Sequence, residues 1–183
     1  MYAHFDLEKE LKGDVPHKLN SLLPSDIVVY NVFSVDKEKH ARFGAISRSY
    51  EYKVWLGRNP FLLDFSWQIH SQNLNIDLMN EAAKLLLEYT DFQTFSKVKT
   101  DVYTFNCDVT EAFWVINGNE LTFHISANRF LRNMVRAIVG TLVDVGLGKI
   151  TKEGFREIIE SKNRGNAGLS VPAKGLFLTK IKY

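Results

Sequence analysis

The sequence predicts an α+β fold in which helices pack on one face of a largely antiparallel sheet. Asn117-Gly118 separates the segments Cys107–Ile116 and Leu121–Ala127, and apolar and polar residues alternate in the second segment, an arrangement typical of a β-hairpin. Segments with helical periodicity and capping residues lie among the strand-like segments. With 183 residues and 45% hydrophobic content, the chain can bury a substantial core.

The first predicted helix and strand lie near the N-terminus. Asp14 can cap a helix over His17–Leu23, with Pro16 in its first turn and Pro24 at its end. The β-branched run Ile27–Val35 predicts a buried strand.

The first residues also alternate, since Tyr2, His4 and Asp6 are separated by Ala3 and Phe5. One interpretation is that the chain begins halfway along a strand, and the other is a frayed terminus. The pattern alone leaves both open.

A strand and a helix are predicted in the middle of the chain. Arg48–Trp55 alternates, with Tyr50, Tyr52 and Val54 on the covered side. Asp77 can cap a helix over Leu78–Tyr89. Its apolar stripe consists of Leu78, Ala82, Leu85 and Leu86.

Two helices and a strand are predicted after the hairpin. Phe130–Val145 is predicted to form a long helix that Gly146 ends. Thr151 caps another helix that extends to about Ser161, and Gly175–Tyr183 forms the last strand.

Composition excludes several functional classes. With Cys107 as its one cysteine the chain cannot form an internal disulfide, and its five scattered histidines predict no metal site. No apolar run is long enough to span a membrane and no signal peptide is visible, so we expect a cytoplasmic protein. A net charge of +2 neither requires nor excludes an RNA partner.

Arginines recur along the predicted helix Phe130–Val145 and its approach. At about 100° per residue, Arg129, Arg132, Arg136 and Gly140 fall in one sector. One interpretation is a solvated outer face. The single sign of the charges favours instead a surface that binds phosphate or carboxylate, and Gly140 indicates that something packs closely there.

A second basic cluster consists of Arg42, within His40-Ala41-Arg42-Phe43, and Arg48 with Tyr50. Arginine beside tyrosine suits a nucleotide, because the ring stacks on a base and the guanidinium binds phosphate. Tyr50 also fits the core face of its own strand, so the residues alone leave both interpretations open.

These segments resemble the TruA-type tRNA pseudouridine synthases. His40–Phe43 with Arg48–Tyr52 resembles the family's "F-H-A-R-F-S-A … R-x-Y-x-Y" strand, and Ala127–Gly140 resembles its "A-N-x-F-L-x-x-M-V-R-x-I-V-G" segment. Further matches follow in family order over the whole chain: Asn20 to Pro24, Asp91-Phe92 with Phe95, Pro172-Ala173, Gly175 to Leu178, and Tyr183. Residues 1–183 would then comprise the end of the family's N-terminal lobe and its C-terminal lobe.

The resemblance implies an isomerase that needs no cofactor or metal and acts as a homodimer on the tRNA anticodon arm, at positions 38, 39 and 40. The family's nucleophilic aspartate lies in a "G-R-T-D-x-G-V-H-A" motif, which is absent from these 183 residues. Asp6 aligns with a different family position. We therefore expect an inactive fragment of the enzyme, and the alternative is a non-catalytic RNA-binding module.

The resemblance also assigns roles to individual residues. Tyr50 matches the tyrosine that contacts the target uridine and accepts the proton from C5, and Arg136 matches the arginine that pairs with the aspartate. The candidates for phosphate contacts are Arg42, Arg48, Arg129 and Arg132.

Overall fold

The structure, a computed structural model of the chain, describes residues 1–9, 11–70, 73–98 and 102–183. The chain forms two compact units, one of residues Tyr2–Gly44 and one of Ala45–Tyr183 together with Met1.

Among its described residues, the unit Tyr2–Gly44 contains one short α-helix, α1 (Val15–Asn20). The Asp14 side chain accepts a hydrogen bond from the His17 amide, which confirms the predicted cap. The helix ends at Asn20, three residues before the predicted end. The Asn20 side chain bonds both the amide and the carbonyl of Val29, and so holds the following segment against the helix.

The predicted buried strand Ile27–Val35 is wrong. These residues form no strand, and Val28, Tyr30 and Phe33 are each more than half exposed. The residues 2–6 form no strand either. A β-branched run favours extended backbone, but a strand also needs a neighbour for its hydrogen bonds. The described residues of this unit contain none.

The unit Ala45–Tyr183 is built on a sheet whose described strands are β1 (Ser47–Leu56), β2 (Trp67–Ile69), β3 (Val109–Asn117), β4 (Glu120–Ala127) and β5 (Leu176–Lys182). β1 lies at the centre. It pairs antiparallel with β4 on one edge, and β4 pairs antiparallel with β3. Its other edge pairs antiparallel with β5 and then parallel with β2, so the sheet is mostly antiparallel, as predicted.

The hairpin between β3 and β4 is confirmed, with its turn one residue further along than predicted. Asn117 pairs with Glu120, which leaves Gly118 and Asn119 as the two turn residues. Gly118 has a φ of 57°, a value that glycine adopts without steric cost.

Three α-helices belong to this unit within the described residues: α2 (Ile76–Leu85), α3 (Met134–Gly146) and α4 (Lys152–Glu160). Thr151 caps α4 as predicted. The cap of α2 is Asn75 rather than Asp77, and Leu78 is exposed while Met79 and Ala83 are buried. None of the described helices combines the length and apolar character that a membrane span requires.

The core lies between the helices and one face of the sheet. α2 packs on β3 and α3, and α3 also contacts β1. The largest buried sheet side chains are Tyr52, Phe123 and Trp114. α3 is buried on almost all sides, and Arg136 and Asp144 are its only residues that are not buried.

The predicted start of α3 is wrong, because the helix begins at Met134 rather than Phe130. In a continuous helix the Arg132 carbonyl would accept from the Arg136 amide, but here it accepts from the Lys97 amide at 3.0 Å. Asn133 has a φ of 72°, outside the helical region. Arg129 and Arg132 therefore precede the helix, and the predicted arginine face does not form.

Candidate active site

Tyr50 lies on the helix-covered face of β1, near the start of the strand. It is half-buried, and its ring meets the Phe130 ring edge-on with 5.1 Å between centroids. Its hydroxyl forms no hydrogen bond with any residue that the structure describes. The ring is thus held by packing while its polar end remains available.

Arg48 precedes Tyr50 on the same face of β1. Its guanidinium donates to the Asn128 carbonyl at 3.0 Å, which ties the start of β1 to the segment after β4. Burial raises the pKa of Tyr50 above its ordinary value, and the positive charge of Arg48 partly opposes this rise. Tyr50 is therefore a neutral phenol near pH 7.

Arg136 projects from the first turn of α3 toward the same face of β1. Its Nε donates to the Val171 carbonyl at 2.6 Å, and the Val171 amide donates to the Arg136 carbonyl at 3.2 Å. These two hydrogen bonds fix the Arg136 backbone and the Nε of its side chain. The two terminal nitrogens have no acceptor among the described residues.

Tyr52 links Arg136 to the strand that carries Tyr50. The Tyr52 hydroxyl donates to the Pro172 carbonyl at 2.6 Å, next to the carbonyl that binds Arg136. Burial raises the pKa of Tyr52, and the Arg136 charge is near enough to oppose that rise. Because Tyr50 and Tyr52 share one face of β1, the structure brings Tyr50, Arg48 and Arg136 to the same side of the sheet.

This arrangement can hold an anion beside an aromatic ring. The free ends of the Arg136 guanidinium match the two oxygens of a carboxylate or phosphate. The Tyr50 hydroxyl can exchange a proton or a hydrogen bond with a ligand in the same region. Among the described residues no three His, Cys, Asp or Glu side chains group as metal ligands.

The other predicted arginines have separate surroundings. Arg129 is half-buried just after β4, and its charge lowers the pKa of Cys107, which burial raises to about 11. Arg132 is exposed. Arg42 belongs to the unit Tyr2–Gly44, where its guanidinium lies 5.5 Å from the centroid of the Phe43 ring.

The contacts that orient these groups are not visible in the sequence. The alternation of β1 predicts only a core position for Tyr52, and no pattern marks the carbonyls of Val171 and Pro172. Every residue has a backbone carbonyl, so a sequence pattern does not show which carbonyl a side chain will bind. Gly140 was the one usable signal, because the close packing it predicted is confirmed: a Cβ there would overlap the Leu169 carbonyl oxygen.

Comparison with known proteins identifies the family. The sequence model of the tRNA pseudouridine synthases matches residues 82–183, which is more than half of the chain. The chain belongs to the tRNA pseudouridine synthase family. The match contains α3 with Arg136, the segment around Val171 and β5.

Relatives in the tRNA pseudouridine synthase family extend the match to the whole chain, including Tyr50. A protein named tRNA pseudouridine synthase A from Parabacteroides distasonis is 49% identical over 100% of this chain and 73% of its own length. The protein of that name from Bacteroides thetaiotaomicron is 49% identical over 100% of this chain and 69% of its length. The Bacillus subtilis protein is 37% identical over 98% and 74%.

Proposed function

We propose that this chain forms the uridine-holding part of an enzyme that isomerises uridine to pseudouridine in the anticodon stem-loop of tRNA. One observation carries the proposal. Within a chain of this family, a tyrosine hydroxyl and the two terminal nitrogens of Arg136 are left without partners in the described residues, on the same covered face of β1.

The reaction breaks the bond between the ribose and N1 of the base, turns the base, and joins the ribose to C5. A carboxylate nucleophile suits the first step. The family's Gly-Arg-Thr-Asp motif does not occur in these 183 residues, so we propose that the attacking aspartate is supplied by residues outside them. Arg136 then pairs with that carboxylate through its free terminal nitrogens and keeps it ionised.

Tyr50 is the proposed acceptor of the proton from C5. When the new bond to C5 has formed, the C5–H bond breaks, its electron pair forms the C5–C6 double bond, the ionised Tyr50 oxygen takes the proton, and N1 gains a proton from water. The raised pKa of Tyr50 means that its ionised form is scarce near pH 7, and the Arg48 charge increases that fraction. The packing of Phe130 against Tyr50 keeps the ring in place.

The remaining arginines position the RNA in this proposal. A uridine within a stem has to leave its stack, so the enzyme must hold a displaced base and a distorted backbone. Arg42, Arg48, Arg129 and Arg132 supply charge for phosphate contacts of that kind. We further propose that the complete enzyme is a cytoplasmic homodimer that uses neither cofactor nor metal.

The proposal is tested by measuring pseudouridine in tRNA transcripts after incubation with three proteins. They are the 183-residue chain, the same chain extended before Met1 by a segment with the Gly-Arg-Thr-Asp motif, and the extended chain with the motif's aspartate changed to asparagine. We expect product in the anticodon stem-loop only with the second protein.

Two outcomes contradict the proposal. Turnover by the 183-residue chain alone would mean that a nucleophile lies within it. Tight tRNA binding without product by the extended chain would favour the non-catalytic RNA-binding module instead. The asparagine variant separates loss of chemistry from loss of binding.

A further inference from the structure

The Arg136 guanidinium depends on a short segment that packs against α3, which we call the 167–171 loop. Its last residue, Val171, exchanges two backbone contacts with Arg136, through the amide at 3.2 Å and through the carbonyl at 2.6 Å. Whatever fixes this loop therefore fixes the direction of the Arg136 side chain.

Arg164 holds the loop through residues that precede Val171. Its Nη1 donates to the carbonyls of Ala167 at 3.3 Å and Gly168 at 3.1 Å, and its Nη2 donates to Ser170 Oγ at 2.8 Å. No carboxylate lies within ion-pair distance of Arg164 in the part of the chain that the structure describes. Its donors are thus directed at neutral oxygens of one loop, where a planar fork is better suited than a lysine.

Ser170 connects the Arg164 side chain to the start of α3. Its Oγ accepts from the side-chain amide of Asn133 as well as from Arg164. Asn133 has a φ of 72° and directly precedes Met134, where the helix begins. The Ser170 hydroxyl therefore links the 167–171 loop, the Arg164 side chain and the turn at Asn133 that precedes α3.

The other side of the loop lies directly on the helix backbone. The Gly168 amide donates to Thr141 Oγ1 at 2.9 Å. A Cβ on Gly168 would lie 2.9 Å from the Thr141 amide nitrogen and 3.0 Å from Asp144 Oδ2, and a Cβ on Gly140 would overlap the Leu169 carbonyl oxygen. Two glycines that face each other thus allow a contact closer than any other residue type permits.

We propose that Arg164 is a positioning residue for the isomerisation, which acts by holding the 167–171 loop so that the Val171 carbonyl aims Arg136. This inference rests on the proposed function for its catalytic consequence, but its structural half concerns Arg136 alone. Arg164 acts through the loop and does not touch the substrate.

The structural half is tested by NMR of the Arg136 Nε–Hε group in the 183-residue chain. In the wild type we expect a shifted, slowly exchanging signal, because Hε is bound to the Val171 carbonyl. In Arg164→Ala we expect Hε exchange to accelerate at least about tenfold, since the acceptor is no longer held. Arg156→Ala is the matched control, because Arg156 binds Glu88 and Tyr89 instead of the loop, and it should leave the signal unchanged.

The catalytic half is tested in the extended chain that forms pseudouridine. Arg164→Ala should lower kcat about 10- to 100-fold at saturating tRNA, with little change in KM, since the loss falls on the orientation of Arg136. Arg164→Lys should recover only part of kcat. Ser170→Ala, which removes the shared hydroxyl but no charge, should reproduce the direction of both effects.

The outcomes separate this inference from the proposed function. An unchanged Arg136 signal in a folded Arg164→Ala chain, or a loosened signal with unchanged kcat, overturns the inference. If Arg164→Ala does not fold, Ser170→Ala and Arg164→Lys decide in the same way. If the wild-type extended chain makes no pseudouridine, the proposed function fails, and the NMR comparison still decides whether Arg164 positions Arg136.

Discussion

At the scale of single residues, the three guanidinium nitrogens of Arg136 differ in what they contact. Its Nε is committed to the Val171 carbonyl, and its terminal nitrogens have no partner in the described residues. These two nitrogens are not among the buried polar atoms that lack a partner in the described residues, so water reaches them and a ligand can replace that water. These donors are therefore available for the carboxylate that the proposed function assigns to Arg136.

Replacement of Arg136 tests that role. In an active extended chain, Arg136→Ala should lower kcat by roughly 10²–10³-fold, because the carboxylate loses its charge partner. Thermal unfolding should change little, since one hydrogen bond contributes only about 1 kcal/mol. Arg156→Ala is again the control for a lost surface arginine. Retained activity in a folded Arg136→Ala protein would restrict this residue to a structural role.

The pH dependence of turnover tests Tyr50 as the proton acceptor. Its pKa lies above the ordinary value of 10.0, so its ionised fraction increases with pH over the whole neutral range. We expect kcat at saturating tRNA to rise between about pH 7 and 9.5. Because the Arg48 charge lowers the pKa of Tyr50, Arg48→Ala should move that rise to higher pH.

The Tyr50→Phe and Arg48→Ala variants serve as controls for this pH dependence. Tyr50→Phe keeps the contact with Phe130 but removes the hydroxyl, and it should abolish the pH-dependent component. A flat profile in the wild type, or the same profile in Arg48→Ala, would mean that Tyr50 holds the base as a neutral phenol.

Cys107 reports on the integrity of the core. It is fully buried, and burial raises its pKa to about 11, while the Arg129 charge opposes the rise. At pH 8 this alone should slow alkylation about 200-fold relative to an unfolded thiol of pKa about 8.5. The stability that the neutral thiol contributes is present below about pH 8.5 and is lost as the pH rises through about 11. Equal alkylation rates with and without urea would contradict the packing described for β3 and β4.

At the scale of elements, α3 is defined by what packs on it. Its Gly140 faces the backbone of the 167–171 loop, and the helix is buried on nearly every side. Gly140→Ala should therefore lower the free energy of unfolding by more than about 2 kcal/mol, despite the higher helix propensity of alanine. Chemical denaturation measures this difference.

Gly154 in α4 provides the matched comparison. A Cβ there meets Ile150 Cγ2 at 3.2 Å, which is the end of a side chain that can move, and Thr151 Oγ1 at 3.4 Å, which is an ordinary van der Waals distance. Gly154→Ala should change stability by less than about 1 kcal/mol. Similar effects at the two positions would mean that the loop is not seated on α3 as described.

The elements that sequence patterns predicted correctly are those fixed by local chemistry. The hairpin follows from Asn117-Gly118 before an alternating segment, and α4 follows from the Thr151 cap. The errors have non-local causes. Ile27–Val35 lacks a strand to pair with among the described residues of its unit. The helix α3 starts later than predicted because the Arg132 carbonyl accepts a hydrogen bond from the Lys97 amide.

At the scale of the whole molecule, the candidate site combines residues distant in sequence. Tyr50 and Arg136 were identified in advance because their motifs resemble those of the family. Arg164, Asn133 and Ser170 were not, since their contacts are with backbone or with one another and no short spacing marks them. Sequence patterns thus suggested which groups to propose for the reaction, and the folded chain was needed to identify what orients them.

In the proposed function, Arg136 and Tyr50 act on one uridine together with a carboxylate from outside these 183 residues. The most direct measurement is tritium release from tRNA labelled at C5 of uridine, with the extended chain and its Arg136→Ala and Tyr50→Phe variants. We predict release with the wild type and at least about 100-fold slower release with each variant. Release at the wild-type rate by either folded variant would contradict the account.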